Sequence, residues 1–299
     1  MFARECNNTI SFLVLVKNNS CGGKIMPNKI KLVVSDIDGT LLTSTNILTP
    51  YLKKTVKLLS TKRIPFILAS ARAPQGIFPL AKELGVHSNP LISYNGAFIL
   101  NMKNMTSIQC LRSYPMNNEV VVKLIDTVKK KFPAIAINIY SENNWFVERE
   151  DKWIATESSI TKLLPVKTDF SNLYSGSETE THKLLLIGEK EDVQTLFTYL
   201  EKVAVAGISF YQSKENYLEI VAAKVSKKMA VKKLAEYYHL MPQEILTIGD
   251  QFNDVPMLKF AGTGVAMGNA STEVKQAAKF ITATNDEDGV AKALKYYVL

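Results

Sequence analysis

Short β-rich runs alternate with amphipathic helical stretches along most of this chain, and this alternation limits the folds that it can adopt. The segment Ile30–Ser35 has the apolar, β-branched composition of a buried strand, and Thr49-Pro50 then opens a helix with apolar residues at helical spacing. A second strand at Ile64–Ser70 and a second helix from Pro74 repeat the unit. Strands joined by helices favour a parallel sheet that is covered on both faces. We therefore predict an α/β fold whose core is a doubly wound, Rossmann-like parallel sheet.

The carboxyl-terminal part of the chain returns to the same pattern. Ser226 precedes an amphipathic helix, and short strands are predicted at Ile245–Ile248, Thr263–Met267 and Lys279–Thr282. Earlier in the chain, Asn95-Gly96 separates two apolar runs and predicts a β-hairpin, because this dipeptide readily adopts the tight turn that a hairpin needs.

The middle of the chain combines helices and strands in a different order. A long helix is predicted at Asn118–Phe132, and a hairpin joins Ile208–Tyr211 to Tyr217–Val221. The predicted organisation is an N-terminal extension at residues 1–27, a core at 28–100 and 220–299, and an inserted α+β cap domain at 101–219.

Composition excludes several classes of protein. Hydrophobic residues make up 46% and charged residues 21% of the 299 residues, as in globular proteins. The extension is expected to be a disordered tail or an extra edge strand rather than a targeting leader, because its apolar stretch Ile10–Val16 is short and no small-residue cleavage site follows. That stretch is also far below the roughly 18 residues of a membrane span. We expect no membrane association.

Cysteine content and charge bear on compartment and partners. Cys6, Cys21 and Cys110 are odd in number and lack C-x-x-C spacing, so neither a disulfide framework nor a thiolate metal site is predicted, and the reducing cytoplasm fits best. The net charge of +8 is spread along the chain without a basic run interleaved with aromatic residues. Nucleic acid is therefore not an expected partner.

Two acidic motifs each follow a predicted strand. Asp36-Ile37-Asp38-Gly39-Thr40 comes directly after the first strand, and Gly249-Asp250-Gln251-Phe252-Asn253-Asp254 follows Ile245–Ile248. Ligands of doubly wound sheets bind at the carboxyl ends of the strands. Helix capping by Asn253 or Asp254 explains one of these polar residues but not all of them. The carboxylates expected to converge on one pocket are those of Asp36, Asp38, Asp250 and Asp254.

Carboxylates gathered in one pocket call for a cation. Two of them about 4 Å apart repel by about 4 kcal/mol at an effective dielectric constant of 20. A donor set of oxygen atoms favours a hard ion, and few carboxylates with room for water and phosphate suit Mg²⁺ better than Ca²⁺. A structural Ca²⁺ site remains an alternative, although the EF-hand spacing is absent. One carboxylate could also serve as a nucleophile toward phosphorus while a second acid transfers protons.

Taken together, the motifs resemble those of the haloacid dehalogenase-like hydrolase superfamily. The features that carry the resemblance are Asp-x-Asp-Gly-Thr at 36–40, Ser70 after the second strand, Lys227, and Gly-Asp-x-x-Asn-Asp at 249–254. The likeness covers about residues 30–299 and is to the Cof-type branch, whose members carry an inserted α+β cap. Two positions depart from the family pattern: members often have glycine where this chain has Ala71, and glycine or a similar small residue where it has Lys228.

The resemblance implies roles for individual residues. Asp36 would be the nucleophile and Asp38 the general acid and base, while Ser70 would hold the phosphoryl oxygens and Lys227 would neutralise the transferring group. Mg²⁺ would be bound by Asp36, the main-chain carbonyl of Asp38, and Asp250, with Asn253 and Asp254 ordering that site. The expected substrate contacts are Gly39, Thr40, Ser70, Ala71, Arg72, Asn95, Gly96 and Lys227. Read by themselves, Ser70 is equally a cap at a strand end and Asn95-Gly96 equally a plain hairpin turn.

The expected function is Mg²⁺-dependent hydrolysis of small phosphorylated metabolites, with sugar phosphates the foremost class, through an aspartyl-phosphate. A phosphomutase or phosphotransferase with the same nucleophile is one alternative, and a non-enzymatic phospho-acceptor signalling domain is another. The cap is expected to close over the site and to contribute specificity. We expect a monomer or weak homodimer.

Overall fold

The computed structural model describes residues 29–104, 106–175 and 179–299. The extension predicted at residues 1–27 lies outside the described residues. Within those ranges the chain forms two β-sheets, one of eight strands and one of six, with helices packed on them. The strands in chain order are β1 Leu32–Ser35, β2 Phe66–Ala69, β3 Leu91–Ser93, β4 Phe98–Met102, β5 Ile108–Ser113, β6 Ala136–Ser141, β7 Asn144–Val147, β8 Val166–Lys167, β9 Lys183–Ile187, β10 Ile208–Lys214, β11 Tyr217–Ala222, β12 Ile245–Gly249, β13 Thr263–Ala266 and β14 Phe280–Ile281.

Helices connect most of these strands. They are α1 Pro50–Thr61, α2 Pro74–Glu83, α3 Asn118–Lys131, α4 Lys152–Thr161, α5 Phe170–Tyr174, α6 Lys190–Val203, α7 Lys227–Tyr237, α8 Val255–Phe260, α9 Thr272–Ala277 and α10 Gly289–Tyr297. The helix starts follow local chemistry: the Thr49 side chain accepts a hydrogen bond from the Leu52 N–H ahead of Pro50, and Ser226 caps α7 in the same way.

The first sheet is doubly wound, as predicted. Its strand order is β14-β13-β12-β1-β2-β3-β4-β5, and the six strands from β14 to β3 run parallel. The chain proceeds from β1 toward β3 on one side and from β12 toward β14 on the other, so the order reverses between β1 and β12. Such a reversal opens a crevice at the carboxyl ends of the two strands. Both acidic motifs begin there.

Strand β1 shows why helices cover both faces of the first sheet. Leu32 and Val34 pack in the apolar cluster that contains Val231 and Leu234 of α7, whereas Val33 packs on the opposite face. Side chains of neighbouring strand residues point to opposite faces, so an apolar strand needs cover on both. All four residues of β1 are buried.

The second sheet has the order β10-β11-β9-β6-β7-β8, and all pairs in it are antiparallel except β7 with β8. Along β9, Leu184 and Leu186 pack with apolar residues of α3 and α6, whereas Leu185 and Ile187 belong to the cluster shared with the first sheet. One face of the second sheet is therefore turned toward the first unit.

Several predicted elements are confirmed with small changes of boundary. The long helix ends at Lys131, and antiparallel pairing of β3 with β4 and of β10 with β11 confirms both hairpins. The predicted division at residue 101 does not follow the sheets, because β5 extends the first sheet, and β11 of the second sheet continues to Ala222. Strand β5 lies at the sheet edge, and all six of its residues are half-buried or exposed. Because none of them is fully buried, the sequence of β5 lacks the apolar run that marks a central strand. No helix in the described part of the chain is long and apolar enough to cross a bilayer.

Candidate active site

Strand pairing brings the two acidic motifs together. Ser35 is in register with Ile248, and the Asp36 N–H donates to the Ile248 carbonyl at 3.0 Å. Asp36 and Asp250 therefore begin neighbouring loops at the crevice, and both are buried. One carboxylate oxygen each from Asp36, Asp250 and Asp254 lies within 4.8 Å of the others.

Lys227 supplies the positive charge of this cluster. It is the first residue of α7, which Ser226 caps by accepting a hydrogen bond from the Met229 N–H. Its side chain is 1% exposed, and its Nζ donates to Asp36 Oδ1 and, at 2.7 Å, to Asp254 Oδ1. The adjacent Lys228 is exposed, as helical geometry requires of a neighbouring residue.

Asp254 holds the second motif in shape. While its Oδ1 accepts from Lys227, its Oδ2 accepts the N–H groups of Asp250 and Gln251, both at 3.0 Å. Gly249 makes this possible, since a Cβ there would lie 2.5 Å from the Asp254 Cβ. Both oxygens of Asp254 are engaged within the protein, which fits the ordering role that the resemblance implies.

Asp250 is positioned by the first motif. Thr40 Oγ1 donates to Asp250 Oδ1 at 2.7 Å, and Gln251 Nε2 donates to Oδ2 at 3.0 Å. Gly39 has a φ of +77°, and a Cβ at this position would lie 2.4 Å from Asp250 Oδ2. Glycine is therefore required both for the turn and for the close approach of the two loops.

The Asp38 carboxylate lies apart from the acidic cluster, so the prediction that four carboxylates converge is wrong for this side chain. Arg72 Nε donates to Asp38 Oδ2 at 2.9 Å and its Nη2 donates to Oδ1 at 2.5 Å. The side chain of Asp38 is 54% exposed. A guanidinium fork matches a carboxylate, and the turn through Gly39 leaves Asp38 outside the buried crevice.

Ser70, Ala71 and Arg72 form the loop that follows β2. Ser70 is buried, and its Oγ accepts the Arg72 N–H at 3.2 Å. The Ala71 carbonyl accepts from Nζ of Lys183 in the second sheet at 3.0 Å. This loop therefore contacts both sheets beside Asp38.

Asn95 and Gly96 do more than turn the hairpin. Asn95 is buried at a φ of +56°, its Oδ1 accepts from Asn253 Nδ2 at 3.1 Å, and its Nδ2 donates to the Tyr211 hydroxyl. A Cβ at Gly96 would lie 2.7 Å from the Ser226 carbonyl. The turn thus joins the second motif, the start of α7 and the second sheet, and Tyr211 is a contact that the sequence did not indicate.

The charges of the cluster perturb one another. Burial raises the pKa of Asp36 well above its ordinary value, and the nearby carboxylates of Asp254 and Asp250 add to this although Lys227 opposes it. Burial also raises the pKa of Asp250, against the hydrogen bond from Thr40. Burial alone would lower the pKa of Lys227, but the carboxylates outweigh it and raise that pKa. Additional positive charge here would favour the ionised carboxylates.

The residues present fit a hard metal ion. Asp36 and Asp250 offer carboxylate oxygens in a buried crevice, and the candidate ligand group that the described residues bring together there consists of carboxylates. Asn253 Oδ1 is buried and has no hydrogen-bond partner among the described residues. A buried oxygen without a partner can accept a hydrogen bond from a water molecule that a metal ion binds. The cluster found in the structure contains three of the four predicted carboxylates, those of Asp36, Asp250 and Asp254, and lacks that of Asp38.

A cavity of about 370 Å³ opens beside Asp38 and Arg72. Its far wall comes from the second sheet and α4, and includes Tyr140, Glu157 and Tyr217. No motif marks these residues in the sequence. Period-two alternation along β11 is the signal that could have placed Tyr217 and Glu219 on the same face.

Comparisons with known proteins agree with this geometry. A family model of haloacid dehalogenase-like hydrolases matches residues 33–294. A Haemophilus influenzae protein named "Putative phosphatase" is 37% identical over 269 residues, which cover 89% of this chain and 97% of that protein. A Bacillus subtilis protein named 5-amino-6-(5-phospho-D-ribitylamino)uracil phosphatase is 27% identical over 274 residues, which cover 91% of this chain and 99% of that one.

Solved structures agree as well. A haloacid dehalogenase-like hydrolase from Bacteroides thetaiotaomicron superimposes with a TM-score of 0.80 at 32% identity, over 90% of this chain and 99% of that chain. Residues 33–294, which the family model matches, contain both acidic motifs and Lys227. As the motifs predicted, the chain belongs to the haloacid dehalogenase-like hydrolases and is an enzyme of that family.

Proposed function

We propose that this enzyme is a Mg²⁺-dependent phosphatase that hydrolyses small phosphorylated metabolites, with sugar phosphates as the foremost class. The observation that carries the proposal is the placement of Asp36: a buried carboxylate that is bound by Lys227 and lies within 4.8 Å of Asp250, at the point where the strand order reverses. Relatives named as phosphatases support it. Their match over nine-tenths of this chain favours phosphate release over phosphoryl transfer to a second metabolite or a signalling role.

In the proposed reaction, an Asp36 oxygen attacks phosphorus in line with the leaving oxygen. The P–O bond to the metabolite breaks as Asp38 gives its proton to the leaving oxygen, and an aspartyl-phosphate forms on Asp36. Water then attacks this phosphorus, Asp38 takes up the proton, and phosphate leaves with Asp36 restored. Lys227 offsets negative charge on the transferring group throughout.

Mg²⁺ would be held by Asp36, the Asp38 carbonyl and Asp250, with Asn253 and Asp254 supporting them, and when bound it would supply charge stabilisation for the phosphoryl oxygens. Ser70 is buried at the end of β2, where it can hold a phosphoryl oxygen. Arg72 prefers a bidentate anion, so an arriving phosphate competes with Asp38 for it and frees Asp38 for proton transfer.

The test uses Asp36→Asn, which keeps the size of the side chain and removes the nucleophile. Phosphate release from p-nitrophenyl phosphate and from a panel of sugar phosphates is expected to vanish, with circular dichroism and melting temperature showing a folded protein. The panel includes 5-amino-6-(5-phospho-D-ribitylamino)uracil because of the Bacillus subtilis relative. The matched control Asp126→Asn, on the exposed side of α3, should retain full activity. Turnover by Asp36→Asn comparable to the unmodified enzyme would refute the assignment.

Two further measurements complete this test. Chelation with EDTA is expected to stop phosphate release, and excess Mg²⁺ to restore it. Chromatography of the products should show free phosphate rather than a phosphorylated isomer. A predominance of the isomer would favour the phosphomutase alternative. We also propose that the enzyme is cytoplasmic and is a monomer or weak homodimer. We propose no nucleic-acid or membrane partner for it.

A further inference from the structure

The cavity beside Asp38 and Arg72 extends from the loop after β2 to the second sheet and α4. Asp38, Ala71 and Arg72 form its near side, and residues of the second sheet and α4 form the opposite wall. Its volume of about 370 Å³ lies within the range of small-ligand sites. A phosphate bound at Asp36 would direct the rest of its ester into this space.

Glu157 is a buried acidic residue of this cavity that the site described above does not use. It lies on α4 with 6% exposure, and its two oxygens accept the hydroxyls of Tyr140, at 3.4 Å, and Tyr217, at 2.9 Å. Burial raises the pKa of both phenols, so they remain protonated and donate. A carboxylate has about four acceptor positions. The two that remain on Glu157 are available to a molecule in the cavity.

The cations that line the cavity are paired or exposed. Lys183 lies 3.4 Å from Glu219, donates to the Ala71 carbonyl at 3.0 Å and sits over the Tyr140 ring at 4.8 Å. Arg72 is held by Asp38, and Lys214 is an exposed residue. Among the described lining residues, no buried cation is left to receive a second anion at the Glu157 end.

We propose that Glu157, held by Tyr140 and Tyr217, is a specificity-determining residue that selects phosphate esters whose leaving group carries hydroxyl or amino donors and no second anion. This inference rests on the proposed function. A buried acceptor disfavours a ligand that leaves it unpaired, and a site built to bind a hydroxyl rejects an analogue that lacks it. A carboxylate or second phosphate on the leaving group is repelled by the same group.

The experiment compares two esters of equal chain length, ribitol 5-phosphate and n-pentyl phosphate. The unmodified enzyme with Mg²⁺ is expected to show a kcat/KM at least about 10-fold higher for ribitol 5-phosphate. Glu157→Gln should lower kcat/KM for ribitol 5-phosphate by about 10- to 100-fold, and by at least about 10-fold more than for n-pentyl phosphate. The matched control Glu201→Gln, on the exposed surface of α6, should change neither.

A second pair of esters tests the exclusion of anions. The unmodified enzyme should show a higher kcat/KM for glucose 6-phosphate than for 6-phosphogluconate, which adds a carboxylate. Glu157→Gln should reduce the ratio of these two kcat/KM values. Should Glu157→Gln fail to fold by circular dichroism, Tyr217→Phe removes one hydroxyl that positions Glu157. A selective loss toward ribitol 5-phosphate is expected from that variant as well.

The outcomes separate this inference from the function on which it rests. If the unmodified enzyme hydrolyses both five-carbon esters equally, or if Glu157→Gln lowers kcat/KM for both by the same factor, the role of Glu157 is refuted while the phosphatase assignment stands. If the unmodified enzyme releases no phosphate from these esters or from p-nitrophenyl phosphate, the proposed function is refuted, and the inference about Glu157 is refuted with it.

Discussion

His182 makes the stability of this protein depend on pH in a direction that the structure fixes. The residue is fully buried and directly precedes β9 of the second sheet, while its ring packs against Tyr94 and Phe98 of the β3–β4 hairpin in the first sheet. The Glu142 N–H donates to Nδ1 at 3.0 Å, so the ring is neutral with its proton on Nε2, 2.9 Å from Ser113 Oγ. Burial lowers its pKa to about 4, although the Glu180 carboxylate opposes this.

The size of the effect follows from the two pKa values. The unfolded chain binds a proton at His182 near the ordinary value of 6.5, whereas the folded protein does so only near 4. Between these values the unfolded state binds more protons, so the free energy of unfolding falls as the pH falls. One pKa unit corresponds to about 1.4 kcal/mol, which gives a loss of about 2 kcal/mol at pH 5 relative to pH 7.5.

Urea unfolding at pH 7.5 and pH 5.0 measures this loss. In His182→Asn the Oδ1 atom can accept the Glu142 N–H, but the side chain does not titrate. The unmodified protein should therefore lose about 2 kcal/mol more than this variant between the two pH values. The exposed His87 offers a matched control, since His87→Asn should lose as much as the unmodified protein. Equal losses in the His182 variant and the unmodified protein would refute the reasoning.

Two further substitutions probe the acidic cluster. Lys227→Met leaves Asp36 and Asp254 buried without their cation, and should lower the free energy of unfolding by about 3–5 kcal/mol in urea and abolish phosphate release, whereas the exposed Lys228→Met should do neither. Unchanged stability of Lys227→Met would contradict the buried pairing. Gly39→Ala drives a Cβ toward the Asp250 carboxylate and should raise the Mg²⁺ concentration needed for half-maximal phosphate release. Gly85→Ala is the matched control, because Gly85 has a similar positive φ but no atom lies within 4 Å of the added Cβ. An equal rise of the required Mg²⁺ concentration in both variants would refute a clash at the metal site.

The alternation of strands and helices in the core, and the sheet edge that carries the candidate site, could be predicted from the sequence. Apolar runs such as Leu32–Ser35 and Ile245–Gly249 bury themselves wherever they lie in the chain, so the polar residues after them must come to the sheet edge. The approach of Asp36 to Asp250 follows from that local rule. The helix α4 and the strand β8 were not predicted, because α4 buries only Ile154 and Glu157 and β8 is two exposed residues.

Contacts between the two sheets depended on tertiary structure. The bond between Asn95 and Tyr211 joins residues 116 positions apart, and the Arg72 guanidinium takes the Asp38 carboxylate away from the cluster that its spacing predicts. The partners of these side chains depend on which surfaces meet when the second sheet and its helices pack on the first sheet. Short-range hydrophobic patterning in the sequence is therefore enough to predict the fold and the approach of Asp36 to Asp250. Only the folded chain decided the cavity around Glu157, since its walls come from segments whose approach no local pattern encodes.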